Sequence, residues 1–181
     1  MAGRVRFADA LPSGAVTIEE RNGVAIDRVY GSVAVGPFNY EVVTRGTFAA
    51  RLTFRNFTLA QLALVGLALR DLGEGRVGLG FGKSRGMGRV TVGWGRLELR
   101  YPLAALKGVA ADALLGVGAL YAAEPGTSYG FPAGDRAELP AGLGFEDDGW
   151  GTPRAVAEGA DQVQSVFRAA TERWRQEVRR A

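Results

Sequence analysis

Between Gly78 and Arg89 the chain reads GLGFGKSRGMGR, which sets Gly78, Gly80, Gly82, Gly86 and Gly88 around Lys83-Ser84-Arg85. Glycine loses more backbone freedom on folding than any other residue, so a helix or strand interior is a poor use for this segment. It is therefore expected to be a loop dividing the chain into what precedes it and the strand-like Val90-Thr91-Val92 that follows. Glycine also accepts left-handed angles and close approach of another chain, and interleaved cations attract phosphate. Gly80, Gly82, Lys83, Ser84, Arg85, Gly86, Gly88 and Arg89 are thus candidate contacts for a phosphodiester backbone. A plain solvated connection is the alternative.

Two phosphate motifs do not fit. A P-loop ending at Gly82-Lys83-Ser84 would need glycine at position 77, which is Val77, and should lead into a helix rather than β-branched residues. The dinucleotide pattern fails because Arg85 stands where its third glycine belongs. The chain has no histidine and no cysteine, which removes the commonest general base, thiolate metal sites and disulfides. No catalytic residue, metal ligand or cofactor is assigned. No uninterrupted apolar stretch is long enough for a membrane span, and Arg4, Arg6 and Asp9 interrupt any signal core; a cytoplasmic protein is expected.

Charge is uneven along the 181 residues. Residues 1–101 hold 14 lysines and arginines against 8 acids, a net +6, and residues 102–181 hold 8 against 11, a net −3. Thirteen of the first 14 cations are arginine, which forks onto phosphate and stacks on bases. An anionic polymer is the partner this favours.

Patterning supplies the elements. Arg4-Val5-Arg6-Phe7 alternates as a strand with one wet face, and Val16 to Ile26 reads as a hairpin turning at Asn22-Gly23. Residues 27–45 keep no sustained period and read as an excursion from the core. Phe48 to Arg55 is the clearest strand, with Phe48, Ala50, Leu52 and Phe54 on one face and Arg51 and Arg55 on the other. Thr58 is an expected N-cap for a buried helix from Leu59 to about Arg70, stopped at Gly73. Val90 to Trp94 and Leu97 to Tyr101 have opposite parity, so a bulge or turn is expected at Gly93–Gly95. Residues 102–122 read as a helix broken at Gly116 or Gly118, and residues 124–151 as a long loop. Thr152-Pro153 then opens a final helix with an apolar stripe of Val156, Ala160, Val163, Phe167, Ala170, Trp174 and Val178, packing on its own domain or on a neighbouring subunit. Strand, excursion, strand, helix, glycine loop and strand make most of a ferredoxin-like α+β unit. Residues 1–101 form the expected core and residues 102–181 a helical extension.

These segments resemble the CRISPR-associated RAMP superfamily, and among its members the backbone subunits that line guide RNA in type III effector complexes. Gly82 to Val90 (GKSRGMGRV) is similar to that family's glycine-rich loop. Val24 to Val33 (VAIDRVYGSV), with Glu41–Val43 and Gly46–Phe48, resembles its thumb-like excursion and the next strand, and Arg4 to Ala10 the strand before it. The resemblance implies an α+β, incomplete ferredoxin-like domain whose loop holds guide RNA without reading sequence, with Arg51 and Arg55 extending the surface and Arg28 and Tyr30 reaching an adjacent repeat or subunit. Family members usually open with a strand and helix carrying the acid of target-cleaving members. No counterpart of that segment is found in this sequence, so the domain is expected either to be completed by another polypeptide or to be a split, shortened or degenerate copy, with other effector subunits as partners. Asp9 and Asp27 lie in matched regions as turn or cap residues. An endoribonuclease of the same superfamily, or a scaffold binding acidic proteins, are the competing readings.

Overall fold

The computed structural model describes residues 3–121, 131–132 and 134–179. Backbone contacts divide the chain into two compact units, residues 1–55 and 56–181. Each is described by itself.

The first unit is all β. Its strands are β1 (Val5–Phe7), β2 (Leu11–Pro12), β3 (Thr17–Ile26), β4 (Val33–Arg45), β5 (Phe48–Ala49) and β6 (Leu52–Phe54). The Phe48–Arg55 strand forms as two short pieces. β5 lies antiparallel to β2, and β6 lies antiparallel to β1 with Val5 opposite Phe54 and Phe7 opposite Leu52. Ala8 N–H donates to Arg51 C=O (3.0 Å) between the pieces, so one strand run zips two partners in turn. The expected alternation holds only from Arg51 onward, where Leu52 and Phe54 are half-buried and Arg51, Thr53 and Arg55 exposed; Phe48 and Ala50, expected on the apolar face, are exposed.

β3 and β4 pair in a long antiparallel ribbon, and here the turn expected at Asn22-Gly23 is wrong. Asn22 faces Asn39 and Gly23 faces Phe38 in mid-ribbon, with a register irregularity just beyond Gly23. The chain reverses at Asp27–Ser32. The Asp27 carboxylate accepts N–H bonds from Val29 (2.7 Å) and Tyr30 (2.8 Å), and Gly31 takes φ +65°. A two-residue turn preference is local; a ladder continued over several residues outweighs it, and the Asn-Gly freedom is absorbed as a bulge. Residues 33–45 are accordingly a strand with register irregularities, so the excursion is a paired β-ribbon rather than an aperiodic segment.

The second unit opens with α1 (Leu59–Gly73). Thr58 caps it as expected: its hydroxyl accepts from Gln61 N–H while Gln61 Oε1 accepts from Thr58 N–H. Leu59, Ala60, Leu62, Ala63 and Gly66 are buried, but Leu64 is exposed, so burial is one-sided. The helix runs to Gly73 and releases the chain through Gly75 at φ +74°. Gly66 lets α1 approach its neighbour: a Cβ there would lie 2.6 Å from the Phe167 ring.

Residues 90–95 are not a strand, contrary to expectation. The Val92 side chain packs over Gly73 at the end of α1, and Trp94 packs on Phe167 with ring centroids 5.4 Å apart, so side-chain burial holds this segment in place of a ladder. The parity change at Gly93–Gly95 marks entry into β7 (Arg96–Arg100) rather than a bulge within a strand. The helix expected over 102–122 breaks earlier, at Gly108 (φ +63°), giving α2 (Pro102–Lys107), β8 (Leu114–Leu115) and α3 (Val117–Tyr121). The long loop expected over 124–151 lies partly outside the described residues; its described part contains β9 (Arg136–Ala137) and β10 (Glu146–Asp147).

Pro153–Glu158 is a strand, β11, and only Gly159–Val178 is helical, as α4. The period-two burial of Ala155 and Ala157, opposite Leu99 and Leu97 of β7, overrides the helical stripe expected at Val156. Ala160 is exposed at the start of α4, and Val178 is exposed at its end. Val163, Val166 and Ala170 are buried, and Phe167 packs on α1, so α4 packs within its own unit. β10, β11 and β7 form a three-stranded antiparallel sheet, and β8 pairs with β9. Tyr101, Ala104, Ala113, Leu115 and Leu120 form a second core cluster. There the Tyr101 hydroxyl accepts from Leu115 N–H (2.9 Å), and burial pushes the phenol far above its usual pKa. The fold is thus α+β, an incomplete ferredoxin-like arrangement of small antiparallel sheets with a C-terminal helix.

Candidate nucleic-acid interface

The glycine segment folds into a tight, solvent-facing turn. Lys83, Ser84 and Arg85 form a single 3-10 turn, bracketed by Gly82 at φ +73° and Gly86 at φ +79°. Arg85 N–H donates to Gly82 C=O (2.8 Å), as does Met87 N–H (3.3 Å), and Leu79 N–H donates to Gly88 C=O (2.9 Å) across the neck. Only glycine serves at 88, where φ is +81° and a Cβ would sit 2.0 Å from the Leu79 carbonyl oxygen. All three side chains of the 3-10 turn are exposed, and so is Phe81, at 73%.

Arg89 is not presented with them. Its Nη2 lies 3.2 Å from where a Gly75 Cβ would be, so the guanidinium turns back toward the end of α1. Two other arginines near that helix end, Arg70 and Arg76, are occupied by Asp71 and Glu74.

In the first unit, strand pairing collects arginines that lie far apart in sequence. Arg6 faces Thr53, and Arg55 N–H donates to Arg4 C=O (2.9 Å). Residues opposite one another share a face, as do residues two apart, so Arg4, Arg6, Arg51 and Arg55 all belong to the face of Thr53. Among the described residues in and beside β1 and β6 that face carries four arginines, with Arg4 half-buried and Arg6, Arg51 and Arg55 exposed. Arg51 and Arg55 were legible as outward residues from one strand. Arg4 and Arg6 join them only through the β1–β6 register, although the Arg-Val-Arg-Phe alternation already marked them as a wet face. Arg28 is exposed on the β3–β4 turn beside Tyr30, itself 84% exposed, and Asp27 is the turn's hydrogen-bond acceptor.

A third charged surface was not legible. On the β7–β11 sheet, Glu98 receives Arg96, Arg100 and Arg154 together. The Arg100 hydrogen bond chiefly holds the Glu98 carboxyl below its ordinary pKa. Among the described residues no group of three carboxylates, histidines or cysteines is placed to hold a metal ion, and no helix is long and apolar enough to cross a membrane.

An α+β chain with an exposed cationic glycine turn and an arginine-rich strand face is of the RNA-binding type. The family model of the RAMP superfamily matches residues 1–91, half of the chain, and the chain belongs to that superfamily; it is a CRISPR-associated protein. No curated protein and no solved structure matches it.

Proposed function

We propose that this protein is a non-catalytic, RNA-binding structural subunit of a type III CRISPR effector complex, holding the guide RNA backbone through its glycine-rich loop. The observation that carries this is the 3-10 turn Lys83–Arg85, held open to solvent between two left-handed glycines and tied at its neck by Leu79 and Gly88. Side chains so placed meet phosphate and ribose and read no base edges, as a protein holding guides of any sequence requires. The arginine face of β1 and β6 is a further sequence-independent phosphate surface, and Arg28 at the ribbon tip a contact for an adjacent repeat or subunit. Within the cell its partners are the guide and the other effector subunits.

The test is a salt titration of binding to single-stranded RNA. Lys83→Ala and Arg85→Ala should each weaken binding and reduce the slope of log K against log salt by about 0.7, the value for one phosphate contact on a single strand. Thermal unfolding should be unchanged, since both side chains are exposed. Unchanged affinity and slope in both variants would reject the loop as the contact.

A further inference from the structure

Trp150 is the most exposed large apolar side chain among the described residues, at 92%. It stands between Gly149 (φ +86°) and Gly151 (φ +79°) in the turn that joins β10 to β11. The turn does not depend on the indole. Asp147 Oδ1 accepts from Gly149 N–H (2.7 Å) and Gly151 N–H (3.2 Å), and Asp148 Oδ1 accepts from Trp150 N–H (3.0 Å) and Thr152 N–H (3.1 Å). Asp148 N–H closes the turn onto Thr152 C=O (3.1 Å). The main chain is therefore fixed by two carboxylates while the ring stands in water, so only the side-chain rotamers remain to be ordered when the ring is used.

We propose that Trp150 is a stacking platform for one unpaired nucleobase of the bound RNA. This rests on the RNA-binding reading above and adds a contact in the second unit, beyond the matched residues 1–91. Two observations favour a base over a protein surface. Residues 146–152 carry no other apolar side chain, whereas a protein anchor needs a surrounding apolar patch that excludes water; a base needs only the flat π-face. The adjoining sheet also brings Arg100 and Arg154, which face one another across β7 and β11, beside the turn, with Arg100 Nη1 3.5 Å from Asp148 Oδ2. Both guanidiniums are paired with Glu98, and Arg100 also with Asp148, but the Arg100 side chain stays 56% exposed and keeps N–H groups to offer the phosphate that follows a stacked base. The Asp148 carboxylate is drawn inward, its side chain only 11% exposed, and its charge faces the backbone amides and Arg100 more than solvent.

The experiment measures fluorescence anisotropy of a labelled uridine oligonucleotide of about 12 residues, within the site sizes usual for single-strand binders. Full-length wild type is compared with Trp150→Ala, Trp150→Phe and Trp150→Leu. Trp150→Ala should weaken binding about tenfold or more with the salt slope unchanged, because a base is lost and no phosphate contact. Trp150→Phe should recover most of the affinity, and Trp150→Leu, equally apolar but without a π-face, should not. A DNA strand of matching sequence should show the same Trp150 dependence, since stacking ignores the 2′-hydroxyl. Wild-type affinity in Trp150→Ala, while Lys83→Ala and Arg85→Ala still weaken binding, would overturn the stacking and leave the loop intact as the contact. Stacking also fails if Trp150→Leu binds like wild type, or if Trp150→Ala keeps RNA affinity but loses a co-purifying protein. The reverse pattern, with loss in Trp150→Ala and none in the loop variants, retains the stacking and rejects the loop.

Discussion

Replacing Gly88 by alanine should damage RNA binding more than replacing Gly86, and the size of the difference follows from the loop's geometry. Both glycines are left-handed, at φ +81° and +79°, so each alanine meets a backbone penalty of about 1–2 kcal/mol. At Gly86 nothing lies within 4 Å of the added Cβ. At Gly88 the Cβ would sit 2.0 Å from the Leu79 carbonyl oxygen and 2.9 Å from its nitrogen, and a main chain cannot swing aside as a flexible side chain would. Overpacking of that kind adds about 1–3 kcal/mol, and forcing the two sides of the loop's neck apart breaks the Leu79–Gly88 hydrogen bond, worth about 1 kcal/mol. The native turn should thus be disfavoured by about 1–2 kcal/mol in Gly86→Ala and by at least about 3 kcal/mol in Gly88→Ala. If RNA binds only the native turn, roughly 2 kcal/mol between the variants is about a thirtyfold difference in Kd. Anisotropy titration measures this, and amide exchange at Leu79 checks the cause: protection should vanish in Gly88→Ala and persist in Gly86→Ala. Equal affinities for the two variants, with Leu79 exposed in only one, would refute the premise that the turn's shape holds RNA.

Two further predictions concern the frame of the second unit. Asp135 is 1% exposed and both its carboxylate oxygens lie within 3.3 Å of Leu59 N–H at the start of α1, so Asp135→Ala leaves a buried donor and removes a charge favoured by the helix end. Urea unfolding should report a loss of about 2–4 kcal/mol, and Asp135→Asn, which keeps an acceptor, should lose less. In the β10–β11 turn the Trp150 and Thr152 amides hold the Asp148 pKa below its ordinary 3.8, the Trp150 amide having the larger effect. A depressed carboxylate stabilises the folded form above its unfolded pKa and loses that contribution as pH falls through the folded value. Amide protection at Trp150 and Thr152 should therefore be flat from neutral pH down to about 4 and fall only below it, a step absent from Asp148→Asn.

Much of the local structure was legible. The Thr58 capping box, the alternation from Leu52 to Arg55 and the loop at Gly78–Gly88 are set by neighbours in sequence, because caps, pleats and left-handed turns are short-range. What failed depended on partners far along the chain. Asn22-Gly23 did not turn because residues 33–45 were available to extend the ladder. Pro153–Glu158 became a strand because Leu97 and Leu99 wait opposite Ala157 and Ala155, and Val90–Val92 was left unpaired with Val92 covering the end of α1.

For function the division is similar. The amino-acid order alone determined a cationic glycine loop, an arginine-rich first half and a likeness to RNA-guided defence proteins, since each lies in contiguous residues. Only tertiary structure decided that Arg4 and Arg6 share a face with Arg51 and Arg55, that Arg89 turns back toward α1, and that Trp150 stands clear of the protein. Register, packing and exposure belong to pairs of distant residues, and their free energies appear only once the chain has closed on itself.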